Sequence, residues 1–217
     1  MTLILHEHPL SSFCWKAKVA LYDMGVPFEA RLVELYDEAS RAAHYARWPI
    51  GKMPVLEDTA RGRVIPETSV IVEYVQAFHA PSAGMIPADP EAALRVRLLD
   101  RVFDSYVMEP MSRIVAENFR GGEDPVGVAQ ADALLAKSYA WLEGELAGRT
   151  WAAGEAFTLA DCAAAPSLFY ADKVLPFRAS HPTLGAYLDR LEARPSFARV
   201  LEEAQPVWHM FPGRKAA

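Results

Sequence analysis

The sequence predicts a mixed α/β domain followed by an all-helical one. Three observations carry the prediction. Short apolar runs of strand length alternate with helical periods over residues 1–79. A stretch dense in proline and glycine follows at residues 80–89. From residue 90 to the end only helical periods remain.

Thr2 to His6 form a short apolar run closed by Pro9, the pattern of a buried strand. Ser11 and Ser12, followed by Phe13, then bring hydroxyls ahead of a helical pattern from Trp15 to Met24. Gly25 stands where a C′ residue would stop that helix. Phe28 to Val33 alternate loosely and read as a second strand, so the start is β-α-β with a right-handed crossover. The irregular stretch to Trp48 leaves room for one further helix. Val55 to Asp58 and Arg63 to Ile65 flank a turn containing Gly62 and predict a hairpin. Glu67, Thr68 and Ser69 open a helix with Ile71, Tyr74, Val75 and Phe78 on one face.

Asp89 with Pro90 predicts a capped start for the next helix. Leu94, Leu98, Leu99, Val102, Phe103 and Tyr106 keep its spacing, and Pro110 should kink or break it. Residues 121–125 read as a loop, and a second long helix carries Leu134, Leu135, Leu142 and Leu146. Thr158 and Asp161 form a variant capping box, with Phe157 and Cys162 at the staple positions. Pro182 opens a helix with Leu184, Tyr187, Leu188 and Leu191, and Pro195 opens a last short one.

Composition narrows the function. The 217 residues are 52% hydrophobic and 23% charged, enough to build a core and too apolar for disorder. The net charge of -6 and the lack of a lysine or arginine block argue against a nucleic-acid partner. The two cysteines, Cys14 and Cys162, fit neither a zinc spacing nor a disulfide framework, which points to a reducing compartment. Six scattered histidines show no metal spacing, so no metal is expected. Leu3 to Leu5 is too short for a signal peptide, and no apolar run nears the roughly 20 residues that span a bilayer. The expectation is a cytoplasmic protein with no membrane partner.

Four segments line up in order along the whole chain: Ser11 to Leu21 after the first strand, Gly51 to Leu56, Pro66 to Ile71, and Phe157 to Asp161. Together they resemble the cytosolic glutathione S-transferase superfamily. The first segment resembles the serine-type classes, zeta and tau, and their bacterial relatives. The resemblance implies a thioredoxin-like N-terminal domain (1–79), a linker (80–89), an all-helical C-terminal domain (90–217) and a homodimer. It also implies glutathione as co-substrate and a small hydrophobic electrophile as its partner, in a detoxification role.

On its residues alone Ser11 can serve as a helix N-cap. The resemblance implies that it is also the catalytic hydroxyl, with Ser12 its rival. A free thiol has a pKa of about 8.5, so a hydroxyl donor at a helix N-terminus would stabilise its thiolate. The resemblance implies a cis bond at Met53–Pro54, exposing Met53 backbone to a peptide ligand, with Phe13 and Lys52 nearby. Glu67 and Thr68 would take the γ-glutamyl end at a helix start. For the second substrate the candidates are Tyr106, Met108, Arg113, Phe119, Tyr170 and Trp208. Trp208, His209, Met210 and Phe211 form an apolar patch that could cover the site. Three alternatives stay open: a non-catalytic binding protein on the same fold, a glutathione-dependent isomerase, and a redox protein using Cys14. Phe13 stands where zeta sequences carry a cysteine, which counts against the isomerase.

Overall fold

β1 (Leu3–Glu7) is buried along its whole length and occupies the middle of the sheet. The structure, a computed structural model, describes residues 2–120 and 122–214. β1 pairs in parallel with β2 (Glu29–Leu32) and antiparallel with β3 (Val55–Asp58), and β4 (Arg63–Pro66) closes the order β2-β1-β3-β4. Gly62, at φ 60°, makes the β3–β4 turn as predicted. α1 (Ser12–Asp23) crosses from β1 to β2, and Gly25, at φ 66°, ends it.

α2 (Glu38–Arg47) fills the stretch without a clear period. Asp37 caps it by accepting from Ser40 N–H at 2.7 Å, and His44 is its one buried residue. α3 (Thr68–Phe78) buries Ile71 and Val75 against Leu3, Leu5, Ala17 and Leu21. Phe78 lies outside that core, half exposed beneath the Arg61 guanidinium at 4.3 Å.

In the linker, Met85 is buried among the helices, and its carbonyl accepts from Leu159 N–H at 3.0 Å. α4 (Pro90–Val102) is capped by Asp89, which accepts from Ala92 N–H at 2.8 Å. Its buried stripe is Ala93, Val96, Leu99 and Val102, while Leu94 and Leu98 point outward, 66% and 51% exposed. The apolar stripe read from sequence therefore mixes two faces.

Pro110 does not break the chain's helical course. α4 runs through a π-helical turn (Phe103–Met108) into α5 (Glu109–Arg120), which contains Pro110. A proline at this position cannot donate to the carbonyl of Tyr106. The Ser138 hydroxyl does so instead, at 2.9 Å, and Glu109 N–H reaches back to Asp104 O. The wider turn and the borrowed donor absorb the proline.

α6 (Pro125–Glu145), α7 (Leu159–Val174), α8 (Pro182–Glu192), α9 (Pro195–Ala204) and a 3₁₀ turn (Gln205–Met210) complete the chain. The capping box forms at the start of α7. Buried Asp161 accepts from Thr158 N–H at 2.8 Å, Ala152 N–H at 2.7 Å and Tyr187 O–H at 2.6 Å. α1 joins the two halves. Ala17 and Leu21 belong to the sheet-side core, and Trp15, Val19 and Ala20 to the helical core. Among the described residues no helix is long and apolar enough to cross a membrane.

Candidate active site

The N-terminus of α1 opens at the junction of the two halves, and the loop before it is fixed from several directions. Ser11 N–H donates to His8 O at 2.9 Å, and Leu10 N–H to His8 Nδ1 at 3.2 Å. The Trp15 indole donates to Pro9 O at 2.5 Å, and the Tyr170 hydroxyl, from α7, to Leu10 O at 2.9 Å. Ser11 is the N-cap: its Oγ accepts from Cys14 N–H at 3.4 Å. Accepting that bond leaves the hydroxyl hydrogen free to donate. The first N–H groups of a helix have no intrahelical partner and give this end a positive potential. The cap and the thiol-activating role are therefore compatible in one side chain.

Cys14 lies one turn inside and is fully buried. Burial pushes its thiol up to about 12. A buried, protonated thiol is a poor nucleophile, so this geometry speaks against redox chemistry at Cys14.

The start of α3 supplies the second anion-binding end. Glu67 is its N-cap residue at φ 69°, the one non-glycine in the left-handed region among the described residues. That conformation is strained for a side chain with a Cβ. Thr68 follows, buried. Behind it the Ser69 hydroxyl donates to Asp100 at 2.8 Å and accepts from Lys16 Nζ at 3.0 Å. Lys16 is fully buried and pairs with Asp100 at 2.5 Å and Asp104 at 2.7 Å. This cluster ties the starts of α1 and α3 to α4 and the π turn.

The loop between α2 and β3 forms the third wall. Gly51, at φ 73°, lies so close to the Tyr45 ring that a Cβ would meet it at 2.5 Å. His44 Nε2 lies 3.2 Å from Lys52 O, the Trp48 indole N–H is buried with no partner among the described residues, and the Met53–Pro54 bond is cis.

These walls enclose a cleft of about 1050 Å³. Ser11, Ser12, Phe13, Lys52, Met53, Pro54, Glu67 and Thr68 all line it, so the structure brings together every candidate from the N-terminal half. Of the second-substrate candidates, Phe119 and Tyr170 line it, with Met210 and Phe211 from the C-terminal patch. Four do not. Met108 is buried in the helical core, and Tyr106 is half exposed outside the cleft. Arg113 is held by Asp124 at 2.8 Å, away from the cleft. Trp208 stacks on Phe211 at 4.9 Å and packs on Trp15 and Tyr170, behind the lining. The helical wall is instead Met111, Ser112, Val115 and Ala116 on one face of α5, which sequence reasoning missed. It also missed His8, Tyr36 and Trp48. An aromatic four residues before Lys52 was the available signal for Trp48.

Residues 5–83 match the family model for the Glutathione S-transferase N-terminal domain, and residues 125–190 that for its C-terminal domain. A glutathione S-transferase of Pseudomonas putida is 32% identical over 211 residues, covering 94% of this chain and 93% of that protein. The chain belongs to the glutathione S-transferase superfamily. A glutathione S-transferase structure from Methylobacillus flagellatus with glutathione bound aligns with a TM-score of 0.83 at 26% identity, covering 91% of this chain and 98% of that one. FtsZ-localized protein A of Caulobacter vibrioides is 28% identical over 93% of this chain and 92% of its own. The fold is accordingly that of the glutathione S-transferases, a thioredoxin-like half followed by a helical one.

Proposed function

We propose that the protein is a glutathione transferase of the serine type, in which Ser11 stabilises the thiolate of bound glutathione for attack on a small hydrophobic electrophile. The observation that carries this reading is the Ser11 hydroxyl, which accepts from Cys14 N–H and keeps its hydrogen for the cleft at a helix N-terminus. The thiol gives its proton to solvent water, and the thiolate forms a sulfur–carbon bond. The displaced electron pair leaves with a leaving group or moves onto an acceptor atom that water then protonates. Positioning and thiolate stabilisation supply the rate.

The lining residues suit glutathione group by group. The free N–H groups at Thr68 suit the γ-glutamyl carboxylate, and Glu67 suits its ammonium. Met53 backbone suits the peptide. Lys52 and the unpartnered Trp48 indole suit the glycyl carboxylate. Phe13 in place of a zeta-class cysteine supports transfer over isomerisation. We further infer a division at 1–79, 80–89 and 90–217, a cytoplasmic detoxification role, and a homodimer. Val70, Leu94 and Leu98, exposed on α3 and α4, support the dimer. The test is calorimetric titration with reduced glutathione, followed by conjugation of chlorodinitrobenzene. Binding and conjugation are expected, and a chain that binds no glutathione refutes the reading. The similarity to FtsZ-localized protein A supports a second reading, a non-catalytic interaction protein. The polar groups at Ser11, Glu67 and Thr68 favour the first.

A further inference from the structure

The helical wall of the cleft is apolar with one exception. Met111, Val115, Ala116 and Phe119 face it from α5, and Met210 and Phe211 from the C-terminal segment. The helical half contributes no charged side chain to the lining among the described residues. It contributes two hydroxyls, and the one on Tyr170 is committed to Leu10 O at 2.9 Å. The other belongs to Ser112, half-buried and without a hydrogen bond among the described residues. A serine inside a helix can donate to the carbonyl four residues back. Ser167 does so to Ala163 O at 2.6 Å. Ser112 does not do so where the wall meets the cleft, leaving one free donor on an apolar surface.

We propose that Ser112 is a specificity-determining residue. Its hydroxyl donates to an acceptor oxygen on an uncharged electrophile whose apolar body rests on Val115, Phe119 and Phe211. The proposal rests on the transferase reading and deepens it by naming the substrate class, conjugated carbonyl compounds. The thiolate sulfur bonds to the β-carbon, the alkene pair moves to form the enolate, and negative charge collects on the carbonyl oxygen. Ser112 donates to that oxygen as the charge develops. The α-carbon then takes a proton from water, and the ketone is restored. A carboxylate on the same substrate would be buried without a cation on this wall, at a cost in binding.

The test measures kcat/KM for benzylideneacetone, which has the acceptor oxygen, and for benzyl chloride, which lacks it. Wild type, Ser112→Ala and Ser112→Thr are compared, with glutathione affinity followed by calorimetry. In Ser112→Ala the ratio of the two values falls about tenfold, the measure of one hydrogen bond to an oxygen gaining charge. Ser112→Thr restores it. The para-carboxylate of benzylideneacetone reacts at least about tenfold more slowly than the parent with wild type, as desolvating a charge requires. An unchanged ratio in Ser112→Ala overturns the proposal, as does equal reactivity of the carboxylate. Wild type that binds glutathione but conjugates neither electrophile also overturns it. Wild type that binds no glutathione instead refutes the transferase reading beneath it.

Discussion

Replacing Ser11 with alanine separates the two tasks its hydroxyl can perform. Losing an N-cap costs about 0.5–2 kcal/mol. Here the cap bond is 3.4 Å, long for an N–H to oxygen contact, so the cost falls near the low end, about 0.5–1 kcal/mol. Losing a donor to a thiolate removes a charged hydrogen bond worth about 1.5–3 kcal/mol. At about 1.4 kcal/mol per pKa unit, the thiol of bound glutathione rises by about one to two units. At a pH below the wild-type value the thiolate fraction, and with it kcat/KM, then falls about 10- to 100-fold, and less at a pH above it. The assay follows ultraviolet thiolate absorbance against pH in the complexes of wild type, Ser11→Ala, Ser11→Gly and Ser12→Ala. Glycine restores most of the cap preference without a hydroxyl, so Ser11→Gly recovers stability but not the thiol shift. If Ser11→Ala loses stability while the bound thiol keeps its pKa, Ser11 is a cap alone. If only Ser12→Ala moves the thiol, the role belongs to the neighbour.

Three further outcomes follow from burial and bonding. Burial pushes the Cys14 thiol up to about 12 and Cys162 well above its usual value, so neither reacts with a disulfide reagent in the native protein at pH near 8, whereas both react in guanidinium. Asp161→Asn turns one of two buried acceptor oxygens into a donor, so either Ala152 N–H and Tyr187 O–H at Oδ1 or Thr158 N–H at Oδ2 lose their acceptor. Urea unfolding should show a loss of about 3–5 kcal/mol, and a loss under about 1 kcal/mol contradicts the role assigned to the capping box. Burial opposes it, but N–H donors from Leu184 and Thr183 hold the Glu143 carboxyl below its usual range. That contribution is full above the unfolded pKa of about 4.3 and disappears as pH falls through the lower folded value. Glu143→Gln should therefore flatten the stability loss on acidification below about pH 5, measured by urea midpoints.

Legibility in the sequence tracked how local each determinant is. The starts of α1, α4 and α7 and the stop of α1 were readable because Ser11, Gly25, Asp89 and the Thr158–Asp161 pair act within a few residues. α2 was not, since a helix with one buried residue, His44, leaves almost no apolar period to detect. The N-terminal half of the cleft was readable through the family resemblance, because its parts sit at element starts. The second-substrate wall failed for a different reason. Periodicity places apolar residues on a helix without saying which stripe meets the core, so Leu94 and Leu98 fell in one helical pattern with the buried Leu99 and Val102. The π turn at Phe103–Met108 then adds about one residue to its turn and resets the phase. Met108, its last residue, enters the core, and past it Met111, Ser112 and Val115 come round to the cleft. The donor that makes this turn tolerable, Ser138, lies on another helix, beyond the reach of local pattern.

The same non-local logic fixes where Ser11 stands. Residues 14–21 of α1 are buried without interruption, including Lys16 and Lys18, which a sequence reading would leave in solvent. Such a helix has no exposed face to tell the fold how it should be rotated, and apolar packing alone discriminates poorly between neighbouring orientations. The lysines supply what packing lacks. Lys16 meets Asp100 and Asp104, and Lys18 meets Glu203 at 2.7 Å and Glu7 at 3.5 Å, from opposite sides of the helix environment. Turning α1 by one residue would leave a buried ammonium without its carboxylates, at a cost of about 3–5 kcal/mol. The ion pairs therefore need add little net stability to select one orientation over the next. Because Asp100, Asp104 and Glu203 come from the helical half, that half sets the angle at which α1 presents its N-terminus. The Tyr170 hydroxyl on Leu10 O sets the loop before it in the same way. The hydroxyl placed to activate a thiol thus belongs to the N-terminal half by sequence and to both halves by geometry, and disturbing either half should move it.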